Sequence, residues 1–377
     1  LKNTLIQVMS SISVCHLTSV HKDGDVRIFH KECVSLVEAG YRVSLIIPNT
    51  STRIEKDVNI ISFEAPKGNR LTRMTKTVNI IYKMAINVDA EIYHFHDPEL
   101  LRIAKKLKKK GKKVVYDVHE DLPRQIISKP YLNKNIRGFI STRVEKYENK
   151  IAAKMDYICT ATPFIRDRFL SINKNTIDVN NFPILKELLI DFPYEEKMEN
   201  NICYVGGIEP TRGIKELVQS LESTNVKLLL AGSFSSIAFQ EEVSQTPSWN
   251  QVNEMGFLTR KGVRDVYTQS KIGIVTLHPL PNYLDALAVK MFEYMAGGIP
   301  VIASNFPLWK TIIEDNDAGI CVDPLKPKEI SDAINYLISN PEKAKEMGEN
   351  GKKMVIEKYN WDNEKKKLID LYKSLEP

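Results

Sequence analysis

Residues 289–304 read VKMFEYMAGGIPVIAS, and the fold is decided here. Lys290 and Glu293, three apart, share one face of a helix whose remaining surface, Met291, Phe292 and Met295 with Leu287 just before it, is apolar. Gly297 and Gly298 end that helix, Pro300 blocks its continuation, and Val301 and Ile302 read as a short buried strand. The local order is helix, tight turn, strand. Two charges inside an otherwise apolar helix mark a face able to hold a polar ligand, although an intrahelical ion pair worth about 0.2–0.5 kcal/mol fits the same spacing.

Working outward, strands are expected near 202–205, 227–231, 251–255, 272–276, 299–303 and 319–322, separated by helical stretches. An earlier series near 13–18, 43–47, 58–63, 92–95, 114–118, 157–160 and 178–180 alternates in the same way. Alternation of this kind gives parallel, doubly wound α/β sheets. Residues 181–200, with Pro183 and Pro193 among acidic residues, read as the connection. The expected organisation is a Rossmann-like domain over 1–183, a second over 184–360 and a terminal helix over 361–377, with a ligand cleft between the two domains.

Three further stretches carry chemistry. Residues 204–217, YVGGIEPTRGIKEL, read as a strand, the glycine pair Gly206–Gly207, a turn and a helix opening near Arg212. Glycines admit close backbone approach, a helix start offers unpaired N–H groups, and Arg212 or Lys215 can neutralise a diphosphate; an ordinary strand-to-helix turn with surface cations has the same pattern. Residues 16–46 read as strand, loop, amphipathic helix, Gly40 stop and strand, so His21, Asp25 and Arg27 fall at the carboxyl end of the first strand, where open parallel sheets bind ligands. Asp25 equally fits a helix cap, and Arg27 a brace. His119, in VYDVHED, follows another strand.

In the resulting order these motifs resemble retaining glycosyltransferases of family four, the group 1 glycosyl transferases with the glycosyltransferase B fold. The resemblance implies that Glu293 grips the donor's ribose hydroxyls and that Asp285 stands where many members carry a second glutamate, unless it only caps the helix. It implies a diphosphate grip from Gly206, Gly207, Arg212, Lys215 and Lys290, with Gly207 replacing a basic residue common at that place. His21, Asp25 and Arg27 are implied on the acceptor side, and His119 against the donor sugar. The catalytic set so implied is His119, Arg212, Lys290 and Asp285. The reaction implied is transfer of a sugar from a nucleotide-diphosphate donor to an acceptor hydroxyl with retention, without cofactor or metal. The residues from Tyr359 to Leu375 resemble the terminal helix that returns to the first domain in that fold. A UDP-sugar epimerase of the same fold, or a nucleotide-sugar-binding protein without turnover, remains as an alternative; a dinucleotide oxidoreductase lacks its glycine fingerprint after the first strand.

Composition fits this frame: 377 residues, 43% apolar and 27% charged, suffice for two cores. Apolar runs stop short of the roughly 20 residues of a membrane helix, and polar residues at 3, 7 and 16 interrupt any signal-like core. Five scattered cysteines predict reduced thiols, a cytoplasmic setting and no structural zinc. The stretch His94-Phe95-His96-Asp97, whose alternate residues point to one side of a strand, is the one metal candidate and is read instead as a strand ending at the cleft with Pro98 opening the next helix. Net charge is +6, with eight Lys or Arg between Leu101 and Lys113 and a second basic stretch, Lys67 to Lys83, interleaved with Leu71, Met74, Ile80 and Ile81. These fit a lipid-linked acceptor and peripheral contact of the N-terminal domain with the inner face of the cell membrane, although a solvated helix face has the same pattern; the family resemblance implies a glycan acceptor in surface polysaccharide or other glycoconjugate biosynthesis. Without an aromatic-basic platform, nucleic acid is not an expected partner.

Overall fold

The computed structural model describes residues 12–376 apart from 129–132, 190–193, 195–196 and 198–199. The expectation for the amino-terminal residues, that they hold no signal-like core, and part of the expected connection therefore lie outside the described residues. The chain forms two units, Leu1–Asn181 with Asp362–Pro377, and Phe182–Trp361.

The first unit holds an eight-stranded sheet: β1 (Ser13–Leu17), β2 (Arg42–Pro48), β3 (Arg53–Glu55), β4 (Val58–Phe63), β5 (Ile92–Phe95), β6 (Lys113–Val118), β7 (Tyr157–Thr160) and β8 (Thr176–Asp178), in the order β3-β4-β2-β1-β5-β6-β7-β8. All pairings are parallel except β3 with β4. That edge hairpin is absent from the sequence reading because its turn residues, Lys56 and Asp57, take φ of 48° and 60° without glycine or asparagine to announce it. The last strand also starts two residues earlier than expected.

One face of the central strands is apolar, with Cys15, Leu17, Tyr93, Phe95, Tyr116 and Val118 in one cluster. The alternate residues of β1 and β5 are histidines. His16 and His94 are register partners, His96 follows two residues on, and all three are buried. They are covered by Glu32, on the π-helical segment Val26–Cys33, and by Tyr372, on the helix Trp361–Leu375, whose hydroxyl lies 2.7 Å from His94 Nδ1.

The second unit holds a six-stranded, fully parallel sheet: β9 (Asn201–Val205), β10 (Lys227–Ala231), β11 (Val252–Gly256), β12 (Ile272–Val275), β13 (Val301–Ser304) and β14 (Gly319–Val322), ordered β11-β10-β9-β12-β13-β14. Apolar clusters fill its two faces, one around Tyr294, Trp309 and Met295, the other around Leu217, Leu230 and Ile334. The helix from Val289 runs to Ala296 and stops at Gly297, followed by Gly298 at φ 66°. Its N-cap is Ala288, so Asp285 does not cap it.

Tyr294 fixes this helix to the sheet: its hydroxyl accepts from Val205 N at 3.1 Å and donates to Ile274 O at 3.2 Å. The ring lies flat against Gly273, where a Cβ would meet Tyr294 Cγ at 2.3 Å. Overpacking such a contact typically costs about 1–3 kcal/mol. Gly273→Ala is expected to lower the unfolding free energy by that amount in urea titration; unchanged stability would show that the helix floats on the sheet.

Candidate functional site

The second unit gathers its polar groups at the carboxyl end of β9. The strand ends at Val205, and Gly206 turns the chain at φ 139°. A Cβ there would meet Lys290 Nζ at 2.7 Å, so glycine is what lets the lysine reach the loop. Tyr204 braces the same loop by donating to Gly207 O at 2.7 Å, and Lys290 Nζ lies 3.7 Å from the centre of its ring. Burial, then the neighbouring Arg212, hold the Lys290 ammonium well below its ordinary pKa despite Glu293.

Lys290 Nζ has no hydrogen-bond partner among the described residues. Glu293 is already held: Oε1 accepts from Arg260 Nη1 at 2.9 Å and Oε2 from Tyr267 OH at 3.0 Å. Arg260 is itself tied to Glu187 at 2.9 Å. The spacing of Lys290 and Glu293 therefore does not serve an intrahelical ion pair. One is neutralised by a distant arginine, and the other rests on an aromatic face.

Arg212 closes a 3₁₀ turn, Pro210–Arg212, and Gly213 follows at φ 69°, where a Cβ would lie 2.0 Å from Thr276 O. No other residue type fits there without moving β12's end. Arg212 Nε is buried without a hydrogen-bond partner; the Glu209 carboxylate is 3.9 Å away. Around it, Glu216 Oε2, Thr276 Oγ1, His278 Nε2 and Asn282 Oδ1 are buried and equally unpartnered. His278 Nε2 lies 3.2 Å from Glu216 Oε1 but is not aligned for a hydrogen bond. Native interiors rarely leave so many buried polar atoms unmatched in one place, which marks a site built for a polar ligand. Lys215 is not part of it: the side chain turns outward and pairs with Glu242 at 2.5 Å, because Gly213 restarts the helix with Lys215 on its outer face. Asp285 is half-buried in the loop before Val289.

The first unit carries a cavity of about 520 Å³ at the carboxyl ends of β5 and β6, lined among others by His21, Arg70, Arg73, Asp97 and His119. His21 Nδ1 is 2.8 Å from Thr18 Oγ1 and 3.3 Å from Asp97. Desolvation would lower its pKa, but the hydrogen bond and charge of Asp97 prevail and raise it. Asp97 is correspondingly held down to about 2: burial pushes it up, while His21, Ser19 N and Thr18 outweigh that. The His21 and His119 rings stand 5.0 Å apart, so the two expected histidines do meet.

Behind His119 lies Asp117, buried and well below the carboxylate range because Arg27 and His119 outweigh its desolvation. Arg27 Nε and Nη2 donate to its two oxygens at 3.1 and 2.7 Å. His119 Nε2 and His96 Nδ1 stand 2.7 and 3.0 Å from Oδ2. An ionised carboxylate only accepts, so both ring nitrogens carry hydrogen, an assignment that rests on the network. With Nε2 turned to Asp117, Nδ1 is the His119 nitrogen left for a further hydrogen bond. His96 Nε2 is bare and accepts from His16 Nδ1 at 2.9 Å.

Arg27, expected on the acceptor side, is buried; besides Asp117 it lies 3.1 Å from Glu32 and donates to Val179 O at 2.7 Å, so it braces the sheet and does not reach a substrate. Asp25 is a helix cap, accepting from Ile28 N at 2.9 Å. Sequence reasoning missed Asp117, Tyr204, Arg260 and Tyr267, and took Asp97 only as part of a metal candidate, where the structure makes it the partner of His21 and Thr18. Asp117 alone had a signal, since it sits two before His119 on the same side of a strand.

Glu32, His94, His96 and Asp117 bring ligand-type atoms within 4.8 Å of one another. They fit a metal poorly: the His94 and His96 rings stack at 4.8 Å with an interplanar angle of 18°, Arg27 occupies the Asp117 oxygens, and burial keeps Glu32 well above its usual pKa. Converging lone pairs and a tolerated positive charge are both missing.

Comparison with known proteins bears on the whole chain. Residues 187–354 match the model of "Glycosyl transferases group 1" and residues 24–179 that of "Glycosyltransferase Family 4". An uncharacterised glycosyltransferase of Methanocaldococcus jannaschii is 28% identical over 203 residues, 50% of this chain and 51% of that one. The D-rhamnosyltransferase WbpZ of Pseudomonas aeruginosa is 22% identical over 71% of this chain and 69% of its own. The chain thus spans about half the length of the first of these relatives. Among solved structures, sucrose-phosphate synthase of Thermosynechococcus elongatus superposes with a TM-score of 0.79 at 17% identity over 97% of this chain and 99% of that one. HepE of Anabaena, solved with UDP-glucose, gives 0.70 at 13% over 96% and 100%. At such identities these establish the glycosyltransferase B fold.

The histidine layer sets an acid limit on stability. Burial holds His96 down to about 4 against Asp117, and holds His16 and His94 well below 6.5 with help from their neighbouring rings. Groups depressed in the fold are protonated on unfolding, so this stability is full above about pH 6.5 and is lost as pH falls towards 4. His21, raised, works the other way and matters only above pH 6.5. Between pH 5 and 6 the three rings take up between two and three protons on unfolding while Glu32, held neutral in the fold, releases up to one, so a net slope of about 2 kcal/mol per pH unit is expected in urea titrations; a flat profile there would refute the neutral layer.

Proposed function

The chain belongs to the group 1 glycosyltransferases, and from this we propose that it transfers a sugar, with retention, from a nucleotide-diphosphate donor to a hydroxyl of a glycan or lipid-linked acceptor. The observation that carries the reading is Lys290, buried at a glycine loop with no counter-ion, beside an Arg212 whose Nε is equally unpartnered. An unpaired buried ammonium is costly, and a diphosphate would supply the missing charge. When the glycosidic bond breaks, negative charge grows on the leaving diphosphate, so Lys290 and Arg212 gain strength in the transition state. Those cations do the work a divalent metal does elsewhere, and the reaction is proposed to need none.

Glu293, fixed by Arg260 and Tyr267, would present its remaining lone pairs to the ribose hydroxyls. His119 would hydrogen-bond a sugar hydroxyl through Nδ1. The acceptor oxygen bonds to the anomeric carbon on the face the diphosphate leaves, and its proton passes to a diphosphate oxygen, so no protein nucleophile is required. Gly206 and Gly207 would admit the diphosphate to the backbone, and Asp285 would approach the donor from the loop before the helix.

Thermal shifts with UDP, GDP and ADP, each with and without EDTA, test the reading, since a ligand of the native state stabilises it by RT ln(1 + [L]/Kd). One diphosphate is expected to raise Tm with or without EDTA, and Glu293→Ala to weaken that response about tenfold or more. Lys290→Ala is expected to lower kcat for sugar transfer by about 10²–10³. No response to any of the three, or one abolished by EDTA, would overturn it.

A further inference from the structure

Two donors reach Glu293 from one helix. Arg260 and Tyr267, seven apart in Arg260–Gln269 and so on one face of it, meet Oε1 at 2.9 Å and Oε2 at 3.0 Å. A carboxylate offers about four lone-pair sites, so one stays open on each oxygen. Tyr267 is fully buried, and its ring stands edge-on to that of Tyr294, the residue after Glu293, with centroids 5.3 Å apart. Since the Tyr294 hydroxyl is bonded to two strands, this half of the clamp is rigid. Arg260, whose side chain is 34% exposed, is the half that can move.

A second acid limits that movement. Arg260 Nε donates to Glu187 Oε2 at 2.9 Å, on the short helix Leu185–Leu188, 73 residues back. One guanidinium is thus divided between two carboxylates, Nε to Glu187 and Nη1 to Glu293. Burial works against its charge, and Glu293 and Glu187 outweigh that. Left with a single carboxylate, a guanidinium settles into two parallel N–H···O bonds that occupy both oxygens. Such a fork on Glu293 would cover the lone pairs that Tyr267 leaves open. Glu187 prevents it by keeping Nε for itself.

We propose that Glu187, by holding Arg260 to one bond with Glu293, makes the donor site selective for ribonucleotides over their 2′-deoxy forms. The inference rests on the donor reading above, which brings ribose to Glu293. The adjacent 2′ and 3′ hydroxyls of ribose each donate to one Glu293 oxygen and fill both open lone pairs. A 2′-deoxyribose brings one donor and leaves a buried carboxylate oxygen unmatched, a loss of about tenfold or more in affinity. Donors built on uridine, guanosine or adenosine diphosphate fit this chemistry; those built on thymidine diphosphate, a deoxyribonucleotide, do not. Glu187 is a positioning residue, since it acts on the ligand through Arg260.

The test is calorimetric titration of the protein with UDP, GDP and ADP, each against its 2′-deoxy counterpart. The ribonucleotide that binds is expected to exceed its 2′-deoxy form about tenfold or more. Glu187→Ala is expected to cut that ratio to about threefold or less, and Glu187→Gln, which keeps an oxygen for Nε, to retain most of it. Because both ligands are measured on one variant, any loss of folded protein cancels in the ratio. In an Arg260→Gln background, Glu187→Ala is expected to change the ratio no further, since its route to Glu293 is gone. A ratio near one in the unaltered protein, a ratio that Glu187→Ala leaves alone, or an effect of Glu187→Ala that survives Arg260→Gln would each overturn the inference while leaving nucleotide binding intact. Binding of none of these nucleotides overturns the donor reading, and this inference falls with it.

Discussion

The Arg27–Asp117 pair is the contact on which the first unit's site depends. Asp117 is buried at the end of β6, and an ionised carboxylate in that position stays only because a guanidinium meets both its oxygens. Once it is ionised, the rest follows from what a carboxylate can do. It accepts and never donates, so His96 and His119 must each turn a hydrogen-bearing nitrogen towards it. The tautomer of His119 at the cavity, and of His96 and His16 behind it, is thus set by an arginine that never reaches the cavity. Removing Arg27 would free the carboxylate to take a proton, and the orientation of three rings would lose its cause.

The second unit uses the opposite arrangement. Its carboxylate, Glu293, is held at both oxygens by Arg260 and Tyr267, while its cations, Lys290 and Arg212, are left with unpartnered nitrogens among the described residues. Tyr204 makes this state tenable, because its ring face stabilises the ammonium without satisfying its hydrogen bonds. Preorganisation here means fixing the acceptor group beforehand and keeping the donors idle. A site arranged in this way favours a ligand that brings negative charge, since a neutral one would leave the ammonium where it was.

The alternation of strands and helices was legible because parallel strands buried on both faces read as short apolar runs, and both sheets stand where those runs fall. Glu293, Lys290, Arg212, His21 and His119 were legible as residue types in motifs. Their partners were not. Arg260 lies 33 residues from Glu293 and Asp97 79 from Thr18, separations that no local periodicity encodes. Where local chemistry offers two uses for one residue, the sequence cannot choose: Asp25 became a cap, Lys215 an outward ion pair, and Arg27 a buried brace. The same ambiguity at Lys290 and Glu293 was resolved by tertiary partners, a tyrosine ring and a distant arginine.

Histidines on β1 and β5 show how far burial governs this. Alternate residues of a buried strand in an α/β layer are ordinarily aliphatic, and His16, His94 and His96 occupy that layer at the cost of staying neutral. Stacking satisfies their faces, and hydrogen bonds satisfy most of their edges; His94 Nε2 and both Glu32 oxygens are the exceptions. Those three atoms lie together, with Glu32 Oε2 3.9 Å from His94 Nε2, too far for a direct hydrogen bond and near the span of a bridging water. Burial keeps the Glu32 carboxyl well above its usual pKa, and a neutral acid can donate to such a water while a bare or hydrogen-bearing imidazole edge takes the other side. The layer is therefore consistent as a set of neutral groups around one charge pair, Arg27 with Asp117. A second charge introduced there would have no counter-ion to meet.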